Sequence, residues 1–156
     1  MPIGVRVRDT RHRIEAVPGR AQAGFTLIEV LVVVLIIGIL AAIALPSFLT
    51  QKKKADDAQA ISLARDSETA IEAFGTSNQG SYAGASTSSL HSIEAAINIT
   101  SNPTNAYVSS VVAGANNYTL VVASPTSGGS FTITKSGNAI TRSCSGTGGG
   151  CVGSSW

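Results

Sequence analysis

The sequence places one acidic residue inside a long apolar run. Between Phe25 and Leu49 the only charged side chain is Glu29, and a small residue, Gly24, stands immediately before the run. A carboxylate costs up to about 2.5–3.5 kcal/mol at the centre of a membrane-spanning helix and less near its edge. If the chain is cut after Gly24, the new ammonium of Phe25 on a neighbouring molecule gives Glu29 an oppositely charged partner. The chemistry indicated is charge pairing between molecules.

The two cysteines, Cys144 and Cys151, lie close together in a Gly-rich tail. They are expected to form a small disulfide loop if this end of the chain reaches an oxidising compartment. A metal site would need more ligands, and the only histidines, His12 and His91, are far away in the sequence. We therefore predict a disulfide and no metal.

Composition and motifs argue against catalysis and against nucleic-acid binding. The sequence has no Gly-x-Ser-x-Gly, no phosphate-binding loop and no His-Glu-x-x-His, so we expect no enzyme and no cofactor. Residues 1–24 carry a net charge of +3, and the remainder of the chain is at −1. A remainder of that balance lacks the clustered Lys and Arg that nucleic-acid binding needs.

The apolar run has the length of a membrane-spanning helix. Val30–Leu49 is twenty residues without a charge, which span about 30 Å as a helix. Arginines precede the run and Lys52–Lys54 follow it, a distribution that favours a cytoplasmic N-terminus. Gly38 and Pro46 inside the run predict a bend, because proline removes one helical hydrogen bond.

An amphipathic pattern continues the helix beyond the apolar run. We expect one helix from about Thr26 to Phe74, ended by the turn-forming residues 75–78. Its predicted apolar stripe consists of Ala58, Ile61, Ala64, Ile71 and Phe74, interrupted near Ser67 and Glu68. The charged residues expected on its other faces are Lys53, Asp57, Arg65, Asp66 and Glu72.

The C-terminal part shows the two-residue period of β-strands. After a polar connection at 79–103, with a weak helical patch at Leu90, Ile93 and Ile97, the pattern predicts four short strands. They cover 107–113, the region around 118–122, the region around 131–134, and 139–142, with turns at 114–116, 124–129 and 136–137. The predicted fold is α+β, a long helix packed on an antiparallel meander.

The run 24–48, GFTLIEVLVVVLIIGILAAIALPSF, resembles the N-terminus of the type IV pilins and of their pseudopilin relatives in type II secretion. The resemblance implies that a prepilin peptidase cuts between Gly24 and Phe25 and methylates the new amine of Phe25. It makes Glu29, with Thr26 in the same motif, the assembly residue, and Pro46 the helix bend. It also implies the pilin fold, and the Cys144 to Cys151 pair is similar to the disulfide-bounded segment of the family.

On this interpretation the chain has four parts. They are a cleaved leader at 1–24, a transmembrane and assembly helix at 25–49, its amphipathic continuation at 50–75, and a globular head at 76–156. The implied partners are further copies of the chain, the prepilin peptidase, an inner-membrane assembly platform and, before assembly, membrane lipid. The implied location is the inner membrane, with a cytoplasmic N-terminus, and afterwards an extracellular filament.

Other interpretations remain open at this point. Within the family, the shared N-terminus does not separate a pilus subunit from a type II secretion pseudopilin. The segment 42–44, Ala-Ile-Ala, also fits a Sec signal-peptide cleavage site, with a secreted domain starting at Leu45. A plain single-pass anchor is a third interpretation. Glu29 argues against an ordinary signal peptide, which has no need of an acid in its apolar core.

Overall fold

The computed structural model describes residues 24–125, 127–147 and 149–156. Two helices, α1 (Leu27–Ser77) and α2 (Thr87–Ile93), are followed by four strands: β1 (Tyr107–Ala113), β2 (Asn117–Ala123), β3 (Ser130–Ser136) and β4 (Ala139–Ser145). The predicted α+β class and the order of its elements are confirmed. The predicted leader lies outside the described residues except for Gly24.

The contacts divide the chain into two units, with the division between Gly38 and Ile39. In the first unit the described residues, 24–38, are helical from Leu27 onward, and all of them are exposed. The second unit, Ile39–Trp156, contains the remainder of α1, α2 and the sheet.

The sheet is an antiparallel meander in the order β1-β2-β3-β4, as predicted. A bulge lies between Val108 and Ser110 in β1, and the other two strand pairs run in continuous register. Gly137 opens the two-residue connection between β3 and β4 at φ 58°, a conformation that glycine adopts without steric cost. Short turns join every pair of sequential strands, so each strand lies beside its neighbour in the chain.

The core of the second unit combines small helical residues with large residues of the sheet. The sheet contributes fully buried side chains that include Tyr118, Leu120, Phe131 and Ile133. The helix contributes mainly alanines, among them Ala60 and Ala64, which let the sheet approach closely. Leu90, Ile97 and Ala106 from the connection between α1 and β1 complete the core.

The predicted apolar stripe of α1 is wrong in part. Ala58 is exposed and Ile61 is only partly buried. The buried positions of α1 are Asp57, Ala60, Ala64, Ser67, Ala70, Ile71 and Gly75. Their steps of three and four residues are helical, but the pattern was hidden because it includes Asp57 and Ser67 and relies on small residues instead of large ones.

Helix α1 also continues past the predicted end, to Ser77. Gly75 is a buried residue within the helix and not its terminator. Glycine fits here because a Cβ would stand 2.6 Å from the ring of Tyr82. The helix ends with Gln79 at φ 59° and with the amide of Gly80 donating to the Gly75 carbonyl at 2.8 Å, the bond that closes a Schellman motif.

The weak helical patch of the connection forms α2. Ser86 caps it, and Ser86 and Ser89 exchange hydrogen bonds in a capping box. Leu90 is fully buried, whereas Ile93 remains exposed. Ile97 lies beyond the helix but is also fully buried, so the apolar pattern correctly marked a core segment while overstating the length of the helix.

Candidate assembly site

Thr26 caps the beginning of α1. Its hydroxyl and its carbonyl oxygen both accept from the Glu29 amide, each at 3.2 Å, and the carbonyl also accepts from the Val30 amide at 3.3 Å. This is the usual role of a threonine that precedes a helix, with an acid three positions later. The Thr-x-x-Glu spacing was the signal for this cap, although the motif had been interpreted only in terms of assembly.

Glu29 lies in the first turn of α1. The free amides at a helix N-terminus carry partial positive charge, which favours a carboxylate at this position. The acid is therefore at the end of the apolar run where the helix itself lowers its cost. Its side chain is exposed and accepts no hydrogen bond from a described residue, so it is available to a group on another molecule.

The helical residues that follow Glu29 present apolar side chains in every direction. Large hydrophobic residues from Leu27 to Leu49 are exposed, with Leu27 at 81% and Ile43 at 74% of their full areas. Among the described residues, α1 is the one helix long and apolar enough to cross a membrane. A helix that is apolar on all faces needs a surrounding of lipid or of other helices.

Pro46 lies inside α1, which continues on both sides of it. Proline has no amide hydrogen, so the carbonyl four residues earlier loses its helical donor. The hydroxyl of Thr50 donates to the Pro46 carbonyl at 3.1 Å, an interaction that often accompanies a bend. The bend near Gly38 and Pro46 stays a prediction.

Glu72 joins the helix to the head. Its carboxylate accepts from the hydroxyls of Tyr82 at 2.6 Å and Tyr118 at 3.0 Å, and from the Lys135 ammonium at 2.7 Å. Lys135 also donates to the Tyr82 hydroxyl at 2.6 Å. One acid of α1 is thus tied to the connection after the helix, to β2 and to β3. The sequence pattern placed Glu72 away from the apolar stripe of α1 but gave no sign that its carboxylate contacts the sheet.

This cluster shifts the ionisation of its members. Partial burial alone would raise the pKa of Glu72, but the hydrogen bonds from Lys135, Tyr82 and Tyr118 outweigh it, and the pKa is lowered. The bond to Glu72 raises the pKa of Lys135. Burial, followed by the bond to Glu72, raises the pKa of Tyr118. At neutral pH the cluster therefore keeps an ionised acid, an ionised lysine and a neutral tyrosine.

Asp57 forms a second connection between α1 and the rest of the chain, and its predicted position away from the buried face of α1 is wrong. The residue is 1% exposed. Its carboxylate accepts from the Ser127 hydroxyl at 2.6 Å and from the Gly150 amide at 3.0 Å. A Cβ at Gly150 would stand 2.5 Å from the Asp57 Cβ, so only glycine fits this approach. Asp57 thus connects α1 to the loop between β2 and β3 and to the C-terminal tail.

The structure joins Cys144 and Cys151 in a disulfide. Cys144 is buried in β4 opposite Phe131. Trp156 packs edge-on against Phe131, at 5.9 Å between ring centroids, and its indole donates to the Ser143 carbonyl at 2.9 Å. The tail is therefore held to the sheet at both of its ends.

Comparisons with known proteins identify relatives of this chain among filament subunits. A family model of the prokaryotic N-terminal methylation motif matches residues 19–45. The type IV wide pilus major component of Thermus thermophilus is 34% identical over 102 residues, which cover 65% of this chain and 73% of that relative. The chain belongs to the family of type IV pilins and type II secretion pseudopilins.

Other relatives match shorter stretches of this pilin-family chain. Type II secretion system core protein G of Aeromonas hydrophila is 42% identical over 59 residues, which cover 38% of this chain and 41% of the relative. A fimbrial protein of Neisseria meningitidis is 42% identical over 67 residues, with 43% and 39% covered. The chain spans about two fifths of the length of the first of these curated relatives. No solved structure gives a significant match.

The candidate site of this pilin-family chain therefore has two parts, the N-terminal motif and the two acids Asp57 and Glu72. The sequence pattern pointed to the first part and not to the second. Gly24, Phe25, Thr26 and Glu29 were predicted as site residues because they lie within six consecutive positions. Asp57 and Glu72 were missed because their partners are distant, at 93 residues for the Gly150 amide and 63 for Lys135.

Proposed function

We propose that the chain is a structural subunit of a type IV pilus-like filament, assembled through α1 after cleavage between Gly24 and Phe25 and methylation of the Phe25 amine. The observation that carries the proposal is the exposed apolar surface of α1 from Leu27 to Leu49, with Glu29 as its one charge. Such a surface has to be covered, and parallel copies of the same helix cover it while offering Glu29 a Phe25 ammonium.

The same apolar surface of α1 fits two successive environments, first the membrane and then the filament. Before assembly, α1 spans the inner membrane with a cytoplasmic N-terminus, and lipid covers its apolar side chains. A prepilin peptidase then acts at Gly24 and Phe25, and an inner-membrane assembly platform moves the subunit into the extracellular filament. In the filament, neighbouring helices replace lipid around residues 27–49. This cycle gives the chain no catalytic step and no cofactor.

A type II secretion pseudopilin is the second candidate, favoured by the matches to type II secretion system core protein G. The pilus interpretation is preferred because the match to the Thermus thermophilus pilus component extends beyond the N-terminal segment. Deleting the gene distinguishes them. Loss of surface filaments with normal protein secretion supports the pilus, and retained filaments with lost secretion support the pseudopilin.

The proposed maturation is tested by the intact mass of subunits from sheared filaments. We expect a chain that begins at Phe25, carries one added methyl group and retains the Cys144 to Cys151 disulfide. Samples measured before and after reduction separate the methyl group from the two hydrogens of the disulfide. A subunit that begins at Leu45 would instead support Sec cleavage and contradict the assembly role of Glu29, which such a chain lacks.

A further inference from the structure

In the second unit, two adjoining grooves lie between α1 and the connection that follows it. The first, with a volume of about 330 Å³, is lined mainly by apolar side chains and by the two acids Asp66 and Glu94. The second, of about 410 Å³, shares Asp66 and Ala96 with the first and includes Leu63. Both acids are exposed, and the ion pairs among the described residues involve neither. The grooves therefore present a negative, partly apolar surface.

A complementary positive surface lies earlier on the same helix. Lys52, Lys53 and Lys54 follow one another, and none forms an ion pair with a described residue. The remaining described cations have partners within the same chain: Lys135 with Glu72, Arg142 with Glu68, and Arg65 over the ring of Trp156. Leu49, one helical turn before Lys53, is 57% exposed. One chain thus carries both members of a matching pair of surfaces.

We propose that the grooves bind the 49–54 segment of a second copy of this chain, with Lys53 facing Asp66 and Lys52 within reach of Glu94. The proposal rests on the proposed function, because subunits inserted alike in one membrane associate with parallel helices. In a parallel pair Leu49 then lies over Leu63. Leu49 precedes Lys53 by four residues and Leu63 precedes Asp66 by three, so each leucine is one turn before its charged residue on the same face.

This contact fixes a stagger between the two copies. Lys53 and Asp66 are thirteen residues apart, which is about 20 Å along an α-helix, whereas Phe25 and Glu29 are separated by only about 6 Å. The two contacts therefore require different axial offsets and join different pairs of copies. The N-terminal contact links the closer pair, and the groove links copies that are further apart along the filament axis.

Charge reversal tests the groove without touching the N-terminal motif. Replacing Asp66→Lys together with Glu94→Lys should reduce the yield of sheared filaments about fivefold or more at low salt, since like charges then meet in the contact. Adding Lys52→Glu and Lys53→Glu to that variant should restore the yield. Lys54 is left unchanged because its side chain lies against Gly149. Thr76→Lys with Ser77→Lys, at exposed positions of the same helix, is the matched control with wild-type yield.

The readouts separate this proposal from the proposed function. Membrane content and intact mass are measured for every variant, so a folding or processing defect is recognised before filaments are counted. Wild-type filament yield from the Asp66→Lys, Glu94→Lys variant, or a yield that the two lysine reversals leave low, overturns the groove contact. Failure of the wild-type chain itself to form filaments would overturn the proposed function instead.

Discussion

At the scale of single residues, the head depends on acids whose partners come from other elements. Glu72 accepts three hydrogen bonds, from Tyr82, Tyr118 and Lys135, although its side chain is 38% exposed. Exposed ion pairs usually contribute little, because water screens them and two long side chains must be ordered. The tyrosine hydroxyls make the contribution of Glu72 to stability larger than that of an ordinary exposed ion pair. Tyr118 is buried in the core, and its hydroxyl would lose its acceptor without Glu72.

The lowered pKa of Glu72 predicts a loss of stability in acid. A carboxylate with a lowered folded-state pKa stabilises the fold above its unfolded pKa, and the contribution disappears as pH falls through the folded value. Thermal melts of the full chain in detergent should therefore show a decline that begins near the ordinary value of 4.5 and continues below it. Glu72→Gln should cost about 1 kcal/mol at neutral pH and remove this part of the decline.

Glu68→Gln is the matched control for that measurement. It breaks the other ion pair between α1 and the sheet, the one with Arg142, and leaves Glu72 and its three donors in place. The part of the acid decline that belongs to Glu72 should persist in this variant. An unchanged acid decline in Glu72→Gln would show that the cluster does not couple ionisation to folding.

At the scale of elements, the sequence predicted strands better than it predicted the buried face of α1. Each strand shows a local alternation of apolar and polar residues, such as Phe131, Thr132 and Ile133. This two-residue period can be read from the sequence without knowing what the strand packs against. The buried face of α1 reads Asp57, Ala60, Ala64, Ser67, Ile71, so neither size nor polarity distinguishes it from an exposed face. Its burial is determined by the large residues of the sheet, whose positions become known only after the chain has folded.

The candidate site divides in the same way. The residues proposed for cleavage and assembly form one contiguous segment, 24–29, and this proposal follows from their order in the sequence. The connection of α1 to the tail could not be inferred, because Asp57 meets Ser127 from a turn and Gly150 from a Gly-rich stretch, neither of which has a periodic pattern. The need for glycine at position 150 likewise follows from its contact with Asp57 and not from a turn signal.

The contacts of Asp57 predict that its substitution weakens the connection between α1, the loop between β2 and β3, and the C-terminal tail. In Asp57→Asn one oxygen remains to accept hydrogen bonds, so the Ser127 hydroxyl and the Gly150 amide can no longer each have a separate carboxylate oxygen. We expect a loss of about 1–3 kcal/mol in denaturant unfolding of the full chain, the usual cost of an unsatisfied buried polar group. Limited proteolysis should cut first near residues 145–150, where the tail loses its contact with α1.

The exposed Asp66→Asn serves as the control and should change the free energy of unfolding by less than about 0.5 kcal/mol. Cys144 and Cys151 are still bonded in both variants, so the comparison isolates the carboxylate from the disulfide. Equal stability of the two variants would mean that the contacts of Asp57 do not hold the tail.

At the scale of the whole molecule, one helix has to satisfy two environments in succession. In a bilayer, Glu29 lies one turn from the beginning of α1, where the helix dipole and nearby water lower its cost. In a filament, the same carboxylate would be enclosed by neighbouring helices, where a charge without a partner is costly. In the proposed assembly, a Phe25 ammonium supplied by another copy removes that cost, and the leader has to be cut before this ammonium exists.

A pair of this kind selects register more than it adds stability. Hydrophobic side chains can replace a buried ion pair with little loss, whereas a register that leaves one charge alone is penalised. The apolar surface from Leu27 to Leu49 would by itself allow many axial offsets between parallel helices. In the proposed assembly, Glu29 therefore determines which of these offsets the filament uses.

From this we predict that Glu29→Val is inserted and cut normally but does not form filaments. Removing a charge from the apolar run makes insertion easier, and Gly24 and Phe25 are untouched, so membrane content and precursor cleavage should equal or exceed those of the wild type. The yield of sheared filaments should fall at least about tenfold, because misregistered contacts are no longer penalised. Glu29→Asp is the matched control: it keeps the charge on a shorter side chain and should retain part of the yield. Wild-type filaments from the valine variant would refute the role of Glu29, whereas mature subunits that accumulate in the membrane would support it.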